Sequence, residues 1–506
     1  MVAEALKPLA VPLSISHEIL PEFREYERTS TVVINAYLQP VMQSYLGNLE
    51  KRASGSSQEA GRSRIFVMQS SGGITALATA AREPVRTVLS GPAGGVVGAA
   101  ATARASGFDR IIAFDMGGTS TDVSLVEDEI KTASDAQIAG LPVSVPMLDI
   151  HTVGAGGGSL ARFDAAGVLR VGPESAGADP GPICYGRGTQ PTVTDANLLL
   201  GRLQPARFLG GDFALDLERT RRLTAEWLKK QNSTLTLEKF AAGVIRVVNA
   251  TMEKAIRVVS IERGRDPRHF ALVAFGGAGG LHACALADAL SIPQVIVPAS
   301  PGALSALGIL ASDVVKDYSR TVLWRVSGRV PSENLAGEFA ALEKAAAKDF
   351  RNEGWQGRPQ YNRTVDVRYR GQGYELNIPL TKTLRRDFEQ EHQLRYGYVH
   401  PAREVELVTL RLRAVLKPVS AKFAQTEDAL GRPQRAKAGK PSAHTVPVLF
   451  EGKKLATKLY AREELPPGKK YSGPAIVTEY SATTVIPPGR AFSIDQANNL
   501  IVKNHI

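Results

Sequence analysis

The sequence predicts an α/β protein in which apolar strands run into glycine-rich turns and helices, followed by a smaller β-rich region. Three observations carry that expectation. Apolar runs at residues 65–68, 111–114 and 271–275 each lead into a glycine cluster, as buried strands do when they deliver ligand-facing turns. The 47 glycines among 506 residues gather in such turns rather than in low-complexity stretches. From about Trp324 the pattern changes, and residues 365–378 and 404–416 alternate with period two, the mark of half-exposed antiparallel strands.

Composition narrows the classes. With 43% hydrophobic and 22% charged residues the chain is ordinary globular material, long enough for two or three domains. Its net charge of +11 is scattered and aromatic content is 6%, so a solvated basic surface is expected and no nucleic-acid arm. The two cysteines, Cys184 and Cys284, lack Cys-x-x-Cys spacing, which points to a reducing compartment without a disulfide or zinc framework. The eight histidines show no metal-binding spacing. No stretch reaches the roughly 18–20 apolar residues of a membrane span, and no signal-peptide pattern opens the chain. A cytoplasmic protein without membrane contact is expected.

In chain order, residues 11–16 predict a core strand, and residues 30–49 an amphipathic helix interrupted only by Pro40. A strand at 65–68, a helix at 76–81, and a second strand, glycine turn and Ala-rich helix over 87–100 follow. Helix N-termini so presented attract anions. Residues 111–126 are the pivot: strand, tight loop, strand, with Asp115 and Asp122 flanking Gly117, Gly118, Thr119, Ser120 and Thr121. Paired glycines let the backbone take positive φ and turn its amides toward phosphate oxygens. The hydroxyls add donors, and two carboxylates suit Mg²⁺. A plain hairpin whose aspartates satisfy turn amides fits the same residues.

A further strand brings Asp149 and His151 to Gly154, Gly156, Gly157, Gly158 and Ser159, where bare amides allow close approach of a ligand; His151 equally suits a structural role. A hairpin turning at Ala166-Gly167, an irregular loop at 172–188, and a helix capped by Thr194 come next. Helices at 215–231 and 237–263, the latter stopped at Gly264, precede strand 271–275 and its turn through Gly276, Gly277, Gly279 and Gly280. That turn only loosely resembles a dinucleotide fingerprint. Helices at 332–352 and 384–396, a basic linker at 417–442, and short strands broken by two Pro-Pro-Gly turns complete the chain.

Seven ordered segments then resemble one family: His17-Glu-Ile-Leu-Pro-Glu with Tyr26-Glu-Arg-Thr-Ser, residues 115–122, 149–159, 172–182, 192–197, 275–283 and 473–477. The chain resembles the hydantoinase A / 5-oxoprolinase family, and at His151 the hydantoinase A subunits in particular. The resemblance implies an actin-like ATPase core (ribonuclease H-like) over residues 1–322, incomplete at the N-terminus. An α+β domain over 323–416, the linker, and a β-rich module over 443–506 complete the expected organisation. It also implies an enzyme that uses ATP and Mg²⁺ to phosphorylate the amide oxygen of a hydantoin, 5-oxoproline or similar lactam, a hydantoinase B type subunit then opening the ring. On that pattern Asp115, Asp122 and His151 are catalytic, with both aspartates holding the metal. Residues 117–121 and Gly276, Gly277, Gly279 and Gly280 bind nucleotide. Asp149, Gly154, Gly156, Gly157, Gly158, Ser159 and Asp195 line the substrate side.

Family members carry an earlier Asp-x-Gly-Gly-Thr hairpin, which does not precede Asp115 here. A separate chain or domain is therefore expected to supply the first phosphate loop, within a hetero-oligomer, and the chain alone is expected to bind Mg·ATP poorly. Two alternatives are an ATP-dependent ketone carboxylase subunit and a catalytically inactive fragment acting in assembly.

Overall fold

The computed structural model describes residues 2–9, 11–55, 65–127, 129–133, 136–138, 140–326, 332–417 and 444–504. The fold is mixed α/β and divides into two units, each built from discontinuous segments. One comprises Met1–Ser90, Thr132–Leu148 and Ser312–Ala421; the other comprises Gly91–Lys131, Asp149–Ala311 and Lys422–Ile506.

The first unit is organised on a six-stranded sheet in the order Phe66–Met68, Ile74–Ala76, Val314–Val326, Val405–Leu416, Gln360–Tyr369, Leu376–Pro379. In Val405–Leu416 the buried Leu410, Leu412, Ala414 and Leu416 alternate with the half-buried Arg411, Arg413 and Val415. This half-solvated antiparallel pattern is the one the period-two alternation predicts.

The second unit holds a nine-stranded sheet. From one edge its order is His151–Val153, Thr121–Glu127, Arg110–Met116, Ala271–Phe275, Gln294–Val297, Leu500–Asn504, Arg490–Ile494, Lys470–Ser472, with Glu129–Ile130 beside Thr121–Glu127. Arg110–Met116, Ala271–Phe275 and Gln294–Val297 run parallel, while Thr121–Glu127 is antiparallel to both of its neighbours, His151–Val153 and Arg110–Met116. Parallel neighbours need a crossover, which the helices Leu237–Val259 and Gly279–Ala289 supply. Leu237–Val259 buries Phe240, Val244, Val248, Met252 and Ile256 in the core that contains Ile112, Phe114 and Val123. Ser90–Ala105 lies on the other face, where a Cβ on Gly95 would stand 2.9 Å from the Phe275 ring.

Several expectations change. Residues 11–15 form no strand: Val11 is 55% exposed, and Ser14 instead bonds Gln39 and Asn35. Pro84–Thr87 form a tight helical turn, and Gly91, Gly94 and Gly95 sit inside the helix Ser90–Ala105. Gly94 and Gly95 serve close packing, since a Cβ on Gly94 would lie 2.8 Å from the Ser305 carbonyl oxygen. Thr192, not Thr194, caps Val193–Leu199. The boundaries drawn at 322 and 443 do not coincide with the two units. Val314–Val326 runs through the first boundary, and Leu500–Asn504 pairs with Gln294–Val297 beyond the second. All of the expected linker except Lys417 lies outside the described residues.

Candidate active site

The pivot is a hairpin of Arg110–Met116 and Thr121–Glu127, in which Asp115 stands directly opposite Asp122. The turn is closed by the Gly117 amide donating to the Ser120 carbonyl at 3.1 Å. Neither Gly117 nor Gly118 adopts positive φ, contrary to the expectation. Gly118 and Thr119 are exposed, and nothing lies within 4 Å of where a Gly118 Cβ would stand. The space in front of the turn is open.

Two other glycine segments converge on this hairpin. The amides of Gly157 and Gly158 donate to the Gly117 and Gly118 carbonyls at 3.0 and 2.6 Å. A Cβ on Gly156 would stand 2.6 Å from the Thr119 amide nitrogen. The Ser159 hydroxyl accepts the Gly156 amide at 2.8 Å, and the Thr121 hydroxyl donates to the Ala155 carbonyl at 2.5 Å. On the parallel neighbour, Phe275 is in register with Asp115. Gly276, at φ +76°, leaves no room for a side chain against the Asp115 carboxylate, a place only glycine fills without strain. The Ala278 amide donates to the Met116 carbonyl at 3.0 Å.

The electrostatics follow from this crowding. Burial, and then the neighbouring Asp122, push the Asp115 carboxyl up to about 6. Burial also raises Asp122, partly offset by the Thr152 hydroxyl that donates to it at 2.5 Å. Among the described residues no hydrogen bond reaches the Asp115 carboxylate, and none of them form a group of three His, Cys, Asp or Glu that could hold a metal. Two facing carboxylates without a fixed cation fit Mg²⁺, which keeps several waters and takes only one or two protein carboxylates. Asp115 and Asp122 would hold it.

Other sequence candidates fall elsewhere. His151 is in register with Val123, and through it with Phe114. It therefore shares the sheet face packed by Leu237–Val259, not the face of Asp115 and Asp122, because neighbouring strand residues point oppositely. The residue on the aspartates' face is Thr152, paired with Asp122; only the strand register could have singled it out. Asp149 is ion-paired with Arg263, and its carbonyl accepts the Ser124 hydroxyl at 2.8 Å. Gly154 packs on Pro173, while Gly279 and Gly280 are buried in the first turn of Gly279–Ala289. A Cβ on Gly277 would stand 3.5 Å from the Ser481 carbonyl oxygen.

Asp195 is fully buried. Its oxygens accept the amides of Ile183, Cys184 and Thr192 and the Thr192 hydroxyl at 2.8–3.1 Å. Buried among these donors it is out of a substrate's reach, so it is a structural acid. Asp195→Asn is expected to destabilise the fold by about 2 kcal/mol, since the amide nitrogen must face donors, while leaving nucleotide affinity unchanged; urea denaturation and calorimetric titration check both. Thr194, which the sequence suggested only as a cap, donates to the Gly157 carbonyl at 2.8 Å, and Ser175 lies against Gly158.

Thr152→Val is expected to raise Asp122 further. The direction follows because one hydrogen bond to the charged form is lost, and NMR titration of the Asp122 carboxyl in the two proteins checks it.

Comparison with known proteins places these features in context. The profile of the hydantoinase/oxoprolinase family matches residues 28–318, and that of its C-terminal domain matches residues 329–505. Caprolactamase subunit alpha of Pseudomonas jessenii is 35% identical over 95% of this chain and 70% of its own length. The crystal structure of that ATP-dependent caprolactamase superimposes with a TM-score of 0.82, covering 97% of this chain and 72% of that one. A 5-oxoprolinase of Saccharomyces cerevisiae is 33% identical over 95% of this chain, which spans 38% of that relative. A nucleotide-free acetone carboxylase structure matches at 26% identity with a TM-score of 0.76, over 100% of this chain and 73% of that one.

Proposed function

Because the chain belongs to the hydantoinase/oxoprolinase family, we propose that it is a subunit of an ATP-dependent hydrolase of cyclic amides. The second unit would be one ribonuclease H-like half of an actin-like ATPase. The strand order and directions from His151–Val153 to Gln294–Val297 support that reading: three antiparallel strands followed by two parallel ones. The observation that carries the function is the convergence of three glycine segments on the Asp115–Asp122 pair.

An unactivated lactam resists water at neutral pH, and phosphorylating its oxygen creates a leaving group. The amide oxygen attacks the γ-phosphorus, and the bond to the ADP oxygen breaks. Water then adds at the ring carbon, the ring C–N bond breaks with a proton delivered to the nitrogen, and the acyl phosphate so formed is hydrolysed to carboxylate and phosphate. Little covalent work falls to the protein; positioning and charge neutralisation dominate. The exposed turn at Gly118 and Thr119 would face the terminal phosphates with its amides and hydroxyls. Thr152 would keep Asp122 ionised and oriented. Gly276 admits the nucleotide-side turn close to Asp115. Mg²⁺, held by Asp115 and Asp122, would supply the positive charge that offsets the transferring phosphoryl group. A partner subunit, as the name of caprolactamase subunit alpha implies for that enzyme, would complete ring opening.

The structural likeness to acetone carboxylase supports a second reading, in which the phosphorylated oxygen is that of a ketone or bicarbonate. Phosphate release by the chain co-purified with its native partners separates the two. The amidase reading expects ADP formation driven by caprolactam, 5-oxoproline or hydantoin without bicarbonate, one ring opened per ATP. Consumption that requires bicarbonate and a ketone would replace it with the carboxylase reading, and no turnover with either would replace it with an assembly role.

A further inference from the structure

His282 is wholly buried in the helix Gly279–Ala289 and takes no part in the chemistry proposed for Asp115 and Asp122. Both of its ring nitrogens are engaged. Nδ1 donates to Asn249 Oδ1 at 2.7 Å, and Nε2 accepts from Asn197 Nδ2 at 3.4 Å. An amide oxygen can only accept and an amide nitrogen can only donate, so these partners fix a neutral ring with its proton on Nδ1. Burial, and then the Arg202 guanidinium, push the imidazole down to about 3, in agreement with that form. Asn197 stands on Val193–Leu199 and Asn249 on Leu237–Val259. One side chain thus joins three helices.

Two of these helices hold the walls of the aspartate site. One turn before Asn197, the amide and the hydroxyl of Thr194 both donate to the Gly157 carbonyl, at 2.7 and 2.8 Å. The Gly157 amide donates in turn to the Gly117 carbonyl at 3.0 Å. One turn before His282, the Ala278 amide donates to the Met116 carbonyl at 3.0 Å. Met116 and Gly117 are neighbours in the hairpin, so these contacts form a closed circuit that leaves His282 through Asn197 and returns to it through Ala278. Opening the link to Asn197 frees Thr194, and with it Gly157, to shift against the hairpin. Stability alone does not account for the network. Asn197 Oδ1 and Arg202 Nε are buried without a hydrogen-bond partner among the described residues, and a partly satisfied polar network is costlier than an apolar core.

We propose that His282 is a positioning residue, a neutral clamp that fixes the helix behind the glycine loop against the helix behind the Gly276 turn and so sets both walls of the Asp115–Asp122 site. This rests on the assignment of that site to the terminal phosphates. Two substitutions divide the clamp. In His282→Gln the amide oxygen can accept from Asn197 while the Asn249 bond is lost. In His282→Asn the amide nitrogen can donate to Asn249 while the Asn197 bond is lost. Hydrogen exchange by mass spectrometry, and phosphate release by the chain with its native partners, read the difference. His282→Asn should speed exchange over residues 154–159 and lower kcat, each at least about tenfold relative to His282→Gln. Exchange over Gln294–Val297 and Leu500–Asn504, away from the hairpin, should be alike in the two variants.

If His282→Asn fails to fold, Asn197→Ala removes the same bond from the other side and carries the same expectation. In the wild type, ¹⁵N NMR of the imidazoles should show His282, identified by the signals that vanish in His282→Gln, with Nδ1 protonated and Nε2 bare. Those signals should not titrate between about pH 8 and about pH 5. Exchange and turnover that match in His282→Gln and His282→Asn, or exchange raised evenly over the second unit, would overturn the clamp. So would a ring that carries its proton on Nε2 or titrates in that range. If no cyclic amide drives phosphate release, the proposed activity fails while the exchange pattern still decides the clamp.

Discussion

Asp115→Asn is expected to abolish ATP-dependent turnover, by a factor of about 10³ or more, while making the protein harder to unfold at pH 8. The two effects share one cause. Burial and Asp122 raise the Asp115 carboxyl from its ordinary range to about 6. Between those values the folded state binds more protons than the unfolded one, so stability falls as pH rises through that window. Above about 6 the whole cost of the buried charge is present, at most about 3 kcal/mol. Asparagine removes it. The variant and the wild type should therefore melt alike at pH 4 and diverge above pH 6, the variant being the more stable. Thermal melts at both pH values, beside phosphate-release assays of the assembled enzyme, check this. An Asp115→Asn protein that turns over normally, or that is less stable at pH 8, would remove Asp115 from its assigned place.

Gly156→Ala is expected to lower turnover at least about a hundredfold and stability by about 2–4 kcal/mol. Its Cβ would stand 2.6 Å from three backbone atoms of Gly118 and Thr119, and backbone cannot step aside as a flexible side chain can. The glycine loop must lift off the turn, breaking the bonds from Gly157 and Gly158 to the Gly117 and Gly118 carbonyls. Gly118→Ala is the informative contrast. Nothing lies within 4 Å of its Cβ position and its φ is not positive, so folding should be unaffected. Its methyl would occupy the space that the proposed phosphates require. Nucleotide affinity should fall while the melting temperature holds, read by calorimetry beside differential scanning measurements.

Much of the secondary structure was legible locally. The helix predicted at residues 332–352 is Ser332–Asn352, and that predicted at 384–396 is Leu384–Tyr396. The hairpin around Asp115 and the hairpin turning at Gly167 are also in place. Periodicity carries these because each depends on neighbours within a few residues. The helix Glu25–Gly55 shows the limit. Its apolar period revealed a helix, but the apolar row faces outward, because the inner row is satisfied by Ser14, Arg82 and Ser144 from other segments. Asp195 was misplaced for a similar reason: its acceptors are filled by amides up to twelve residues away, which no spacing rule discloses.

From the residues alone came the chemistry that a site here could use: two aspartates around a Gly-Gly-Thr-Ser-Thr turn, and glycine runs able to approach it. The tertiary structure alone decided which residues share that site. Strand register put Thr152 beside Asp122 and turned His151 to the opposite face. Parallel pairing over a gap of 160 residues brought Phe275, and so Gly276, to Asp115. A one-residue change of register inverts every side chain of a strand, and register is set by partners distant in sequence. The composition of this chain could therefore supply the reacting groups but not their grouping.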